Sequence, residues 1–191
     1  MKRRQALINI FYIVVSTCLA TITLRWFFYR KTPAITSLNT YKALIADLAE
    51  VIIPATNTPG AKDVKVEDFI IKFILNCEDK KEQDTFLRGL NEVDEFTFEK
   101  YKSSFMDCKT DEKIAIVKHF ERKEMNFSKI INKIRIKLFG RPFYCQLKEL
   151  TVIGYCTSEI GATVGLAYDY VPVTYDPCTP LLKSQRSWAT K

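Results

Sequence analysis

Apolar residues recur every three or four positions along most of this 191-residue chain, the spacing of amphipathic helices. Leu38, Tyr41, Leu44, Ile45, Leu48 and Ile52 form the first stripe, with Asn39 or Thr40 as a cap and Pro54 as its end. The segment Pro54–Ala61 is dense in turn formers: Pro54, Asn57, Pro59 and Gly60. Val66, Phe69, Ile70, Phe73 and Ile74 predict a second helix with Cys77 at its end. Phe86, Leu90, Val93 and Tyr101 predict a third, long and acidic, and Ile114, Val117 and Phe120 after Thr110 a fourth. Residues 128–139 fit a helix through Ile130, Ile131, Ile134 and Leu138; Ile134, Ile136 and Leu138 also alternate like a strand, and helix is preferred. Pro142 opens a last helix, with Phe143, Leu147, Leu150 and Ile153 on one face. Beyond Gly154 the periodicity fades into glycine, proline, threonine and tyrosine. Aromatics from Tyr155 to Trp188 argue against disorder, so this tail is expected to pack over the helices or a partner. The fold class is mostly α: a compact helical domain over 32–191 with an irregular, aromatic-rich C-terminal tail.

Residues 1–31 differ from the rest. Positions 5–24 carry no charge and would span about 30 Å as a helix, the thickness of a bilayer's hydrocarbon core. Lys2, Arg3 and Arg4 precede this run, as in an export signal, and Arg3-Arg4 also forms a weak twin-arginine signal. Trp26, Phe27, Phe28 and Tyr29 follow among cations, a mixture suited to the headgroup layer. An uncleaved signal-anchor ranks first, a cleaved export signal second and a lipoprotein through Cys18 third. Each puts the domain in the periplasm or cell envelope; a buried helix of a cytosolic protein is the alternative.

Charge follows the same division. The net charge is +7, but six of the 29 basic residues lie in 1–31 with no acid among them. The domain is therefore almost neutral, which removes the argument for a nucleic-acid binder. Residues 62–112 hold 14 acids and 9 bases, whereas 118–148 hold 9 bases and 2 acids. Such segregation most simply gives solvated helix faces.

Catalytic and cofactor signatures are missing from the sequence. It has no G-x-G-x-x-G after a strand, no Walker loop and no C-x-x-C-H. His119 is the sole histidine and is expected at the surface, too isolated for a triad or a metal site. Asp94, Glu95 and Glu99 lack the glycine and oxygen spacing of a calcium loop. The six cysteines contain no C-x-x-C, and their spacing leaves any pairing open.

Two stretches carry a more specific pattern. One is Ile52-Ile53-Pro54-Ala55-Thr56, Thr58-Pro59-Gly60-Ala61 and Phe69-Ile70. The other is Lys148-Glu149-Leu150-Thr151, Gly154-Tyr155 and Ser158-Glu159-Ile160-Gly161-Ala162-Thr163, with Pro172, Tyr175, Cys178 and Trp188 beyond. Together they resemble the gluconate 2-dehydrogenase subunit 3 family over most of 38–188. The resemblance implies a helical, non-catalytic small subunit. Its large partner would be an FAD-dependent sugar or alcohol dehydrogenase of the glucose–methanol–choline type, often joined by a cytochrome c carrying haem. The small subunit would support folding, export and membrane location of the flavoprotein. The chain departs from the family in a longer, more membrane-like leader and in Thr174 and Asp176-Pro177, where glycines are common.

The resemblance assigns a partner interface to Pro54, Thr56, Thr58, Pro59, Gly60, Ser158, Glu159, Gly161, Thr163, Tyr168, Tyr170 and Pro172. It also suggests a Cys77–Cys178 disulfide. A stand-alone membrane-anchored binding module is the first rival reading, and a self-sufficient enzyme using a carboxylate pair the second.

Overall fold

Six α-helices make up most of the described chain in the computed structural model: α1 (Arg3–Tyr29), α2 (Lys42–Ile52), α3 (Val66–Cys77), α4 (Lys80–Tyr101), α5 (Thr110–Met125) and α6 (Phe143–Thr157). The structure describes residues 3–29, 35–125, 133, 135–137, 140–171, 178, 180, 183 and 185–189. Short 3-10 helices cover Ile35–Tyr41 and Phe105–Asp107, and a π-helical turn covers Gly161–Gly165. The chain divides into two units, Met1–Ala34 and Ile35–Lys191.

The first unit is α1. Ile10, Phe11, Tyr12, Ile13 and Leu19 are exposed on it. Thr17 and Thr21 turn their hydroxyls back onto carbonyls of the preceding turn, including that of Ile13 at 2.9 Å and that of Cys18 at 2.8 Å. The expected membrane anchor is not supported: among the described residues no helix is long and apolar enough to cross a membrane. Asn9, Tyr12, Ser16, Thr17 and Thr21 punctuate the uncharged run with polar groups.

In the second unit α6 packs against α2, α3, α4 and α5, and the core gathers around it. Ile45, Leu48, Ile70, Ile74, Phe86, Leu90, Ile116, Phe120, Leu147 and Leu150 are buried there. Burial of each such side chain contributes about 1.5–3 kcal/mol. Two close approaches make this packing possible. An added Cβ on Gly89 of α4 would fall 2.0 Å from Phe143 Cγ, and one on Gly154 of α6 would fall 2.7 Å from Phe69 Cδ1.

Helix boundaries follow local chemistry. The Asp79 carboxylate accepts the Glu82 N–H at 2.9 Å and caps α4, which ends at Lys102 in the left-handed region (φ 54°). Glu67 and Asp68 in the first turn of α3 suit the positive end of its dipole. Glu124 of α5 accepts the Tyr144 and Cys145 N–H groups at 3.1 and 3.2 Å, satisfying the start of α6. Beside it the Tyr144 hydroxyl donates to Glu121 at 3.1 Å. Burial, then the Glu121 charge, pushes the Tyr144 pKa up to about 12.

Several expectations need correction. Neither Asn39 nor Thr40 caps α2; both lie in a 3-10 helix, and α2 starts after Tyr41 without a side-chain cap. Ile153 is exposed, because the core face of α6 continues through Thr151, Gly154 and Tyr155. No disulfide joins Cys77 and Cys178, and both residues are exposed. Of residues 128–139, Lys133 and Arg135–Lys137 are helical; the rest lie outside the described residues. Arg141 follows, contacting Glu78, Glu82 and Glu149, the last at 2.9 Å.

His119 lies at the surface as expected, stacked on Phe96 with ring centroids 4.3 Å apart. Glu95 and Glu99 are exposed, while Asp94 is half-buried and burial raises its carboxyl.

Candidate partner-binding surface

The loop after α2 starts where Pro54 forbids further helix. Its backbone donors would be orphaned without help from α2. Glu50 supplies that help: its two carboxylate oxygens accept the Ala55 N–H at 2.8 Å and the Lys62 N–H at 3.0 Å. One side chain thus bridges both ends of the loop. Gly60 passes directly over this carboxylate, and a Cβ there would lie 2.5 Å from Glu50 Oε1 and 2.6 Å from the Ala55 nitrogen. Glycine is required here by proximity, not by a special dihedral. The Gly60 N–H goes to Asp63 Oδ2 at 2.8 Å, and the Ala61 N–H returns to the Ile53 carbonyl at 3.0 Å. Lys62, just past the loop, and Lys113 of α5 both reach Asp47 of α2, Lys113 at 2.6 Å. Burial opposes ionisation of Asp47, but hydrogen bonds from Lys113 and Lys62 outweigh it and hold the carboxyl below its usual range.

The end of α6 is built by Ser158. Its hydroxyl donates to the Tyr155 carbonyl at 2.7 Å and accepts the Gly161 N–H at 3.0 Å. A Cβ on Gly161 would fall 1.9 Å from that same carbonyl oxygen. The turn closes with the Leu166 N–H on the Gly161 carbonyl at 2.9 Å. The chain returns to this turn near its end. Ala167 and Trp188 pair as an isolated parallel bridge, and Arg186 donates to the Val164 carbonyl. For these described residues, the tail does pack on the domain.

Tyr155 brings the two regions together. Its hydroxyl donates to the Pro59 carbonyl at 2.8 Å, across 96 positions of sequence. Gly165 covers that hydroxyl, since a Cβ there would approach it to 2.4 Å. Around this tie the expected interface residues divide. Pro54, Thr56, Glu159, Thr163, Tyr168 and Tyr170 are exposed. Thr58, Pro59 and Ser158 are half-buried, while Gly60 and Gly161 are buried and shape the backbone. Pro172 lies outside the described residues. Ile160, Val164, Val171 and Trp188 add exposed apolar surface.

The family described as gluconate 2-dehydrogenase subunit 3 matches residues 40–174, more than half of the chain and both of these segments. The chain belongs to the gluconate 2-dehydrogenase subunit 3 family. No curated protein and no solved structure matches it significantly. The family description is that of an accessory subunit of a dehydrogenase. The described residues of the domain are mostly helical, as expected, and the signature residues from Ile52 to Phe69-Ile70 and from Lys148 to Pro172 lie within the matched region, with Tyr175, Cys178 and Trp188 beyond it. Among the described residues no group of three or more His, Cys, Asp or Glu is arranged to hold a metal ion.

Sequence reading missed the residues that organise this surface: Glu50, Asp63, Gly165 and Arg186, with Tyr155 noted only as part of a pattern. Glu50 left one readable trace, an acid about one helical turn ahead of a glycine-containing loop that needs acceptors. The others act through contacts no spacing reveals. Glu50→Ala should free both loop ends. Cleavage within Pro54–Ala61 by a broad-specificity protease is expected to quicken about tenfold, the effect of losing charge-assisted hydrogen bonds. Limited proteolysis with mass mapping checks this, and an unchanged rate would remove Glu50 from the role.

Proposed function

We propose that this chain is the non-catalytic small subunit of an FAD-dependent sugar or alcohol dehydrogenase of the glucose–methanol–choline type. It supports folding of the flavoprotein and its delivery to the cell envelope. FAD resides in the large subunit, and electrons pass on to a separate acceptor, with a cytochrome c subunit as the candidate. Family membership supports the reading. The observation that carries it is the tie between Tyr155 and Pro59, which makes one prebuilt, partly apolar surface from two distant signature segments. Prebuilt loops lose little entropy on association, and exposed aromatics such as Tyr168 and Tyr170 are suited to anchor an interface.

The N-terminal segment supports the envelope part of the reading. Arg3 and Arg4 ahead of an uncharged run suit an export leader.

Co-expression with an FAD-dependent dehydrogenase subunit of the glucose–methanol–choline type is expected to give a stable two-subunit complex that retains FAD and reaches the envelope. A large subunit that purifies alone, fully active and correctly exported, would refute the proposal. Binding of the small chain only to membranes, with no flavoprotein, would favour the stand-alone module.

A further inference from the structure

Two pieces of surface can bind one partner together only if their spacing is held. The loop Pro54–Ala61 is fixed to α2 by Glu50, and the turn Gly161–Gly165 is fixed to α6 by Ser158. Among the hydrogen bonds described, the Tyr155 hydroxyl on the Pro59 carbonyl ties the loop to the end of α6, the helix from which the turn leaves. Tyr155 is buried, so its ring is held by packing and its hydroxyl cannot easily turn to solvent. The Gly165 backbone lies over that hydroxyl with room for no side chain. Beyond Gly165, Arg186 and the Ala167–Trp188 bridge add the tail to the same assembly.

We propose that Tyr155 is a positioning residue: it sets the loop Pro54–Ala61 and the turn Gly161–Gly165 at one spacing, so that they form a single two-part docking surface for the dehydrogenase subunit. The inference rests on the function proposed above. The partner is a second chain of the same dehydrogenase, because the family that spans both segments is described as a numbered subunit of one. The loop contributes backbone edges around Pro54 and Thr56, and the turn contributes apolar contact through Ile160 and Val164. Without the hydroxyl, the docking-competent spacing becomes one of several. Apparent affinity then falls by the fraction of molecules that retain it.

The test compares Tyr155→Phe with Tyr41→Phe. Tyr41 also makes a long-range hydroxyl bond, to Asn91 Oδ1 of α4, but in a different part of the domain. Dissociation constants are measured against the purified FAD-containing subunit. Amide hydrogen exchange is measured on the free full-length variants. Tyr155→Phe should weaken the complex roughly three- to tenfold, the effect of one hydrogen bond. It should also quicken exchange at both Gly60–Ala61 and Gly161–Leu166. Tyr41→Phe should lower the thermal midpoint similarly yet leave affinity and those amides unchanged. Gly165→Ala displaces the hydroxyl without deleting it and should give the same paired exchange signature. Equal affinity for Tyr155→Phe and wild type, faster exchange in only one segment, or equal weakening by both tyrosine variants would each overturn the inference while leaving the proposed function standing. A wild-type chain that binds no dehydrogenase subunit would overturn both.

Discussion

Asp47→Ala is expected to cost about 3 kcal/mol of stability, the low end for breaking a buried ion pair. The Asp47 side chain is only 10% exposed and is met by two cations, Lys113 from α5 and Lys62 from the end of the loop. Removing the carboxylate strands Lys113, itself 18% exposed, whereas the half-exposed Lys62 can turn to water. For a domain of this size the midpoint should fall by about 8 °C. Acid should act in the same direction. The folded carboxyl titrates below its unfolded value of about 4. Its contribution is therefore complete above that value and is lost as pH falls through the lower folded pKa. Wild-type stability should decline over this acidic window, and the variant should lack that part of the decline. Calorimetry between neutral pH and strong acid measures both effects; parallel profiles would show that Asp47 is not held by the lysines.

Gly89→Ala is expected to destabilise by about 2 kcal/mol, and its sign decides the packing argument. Alanine in a helix interior normally stabilises by about 1 kcal/mol relative to glycine. Here the new Cβ would sit 2.0 Å from Phe143 Cγ and 2.3 Å from its Cβ. The ring cannot simply swing aside, since it packs on Phe86 at 5.3 Å and Phe120 at 6.4 Å between centroids. The start of α6 must move, and overpacking of this kind costs about 1–3 kcal/mol. Urea unfolding gives the answer, and a stabilised variant would contradict the close approach of α4 and α6.

The helices were legible where periodicity and punctuation agreed. Pro54 and Pro142 marked a true end and a true start, and the stripes through Leu44–Leu48, Ile70–Ile74 and Leu147–Leu150 became the core. Legibility failed where a contact replaced a pattern. Ile153 continued the apolar spacing of α6, but the glycine at 154 let Phe69 and Val66 come closer and drew the buried face round by one residue. The start of α2 was misplaced because a 3-10 helix carries apolar residues at nearly the same intervals. In the partner surface, the glycines and prolines were visible as turn chemistry. The roles of Tyr155 and Arg186 were not, because hydrogen bonds spanning 96 and 22 residues leave no trace in local spacing. The Cys77–Cys178 bridge came from resemblance alone, and the structure holds no disulfide between the two.

Glu50 fastens its loop from beneath, by main-chain donors at Ala55 and Lys62, with the bare Gly60 against its carboxylate and Ala61 sunk in the core. Thr56 and Asn57 at the tip are thereby excused from maintaining the architecture. Such a crest can drift through evolution, or be rewritten by an engineer, to suit a different companion while the scaffold below keeps its shape.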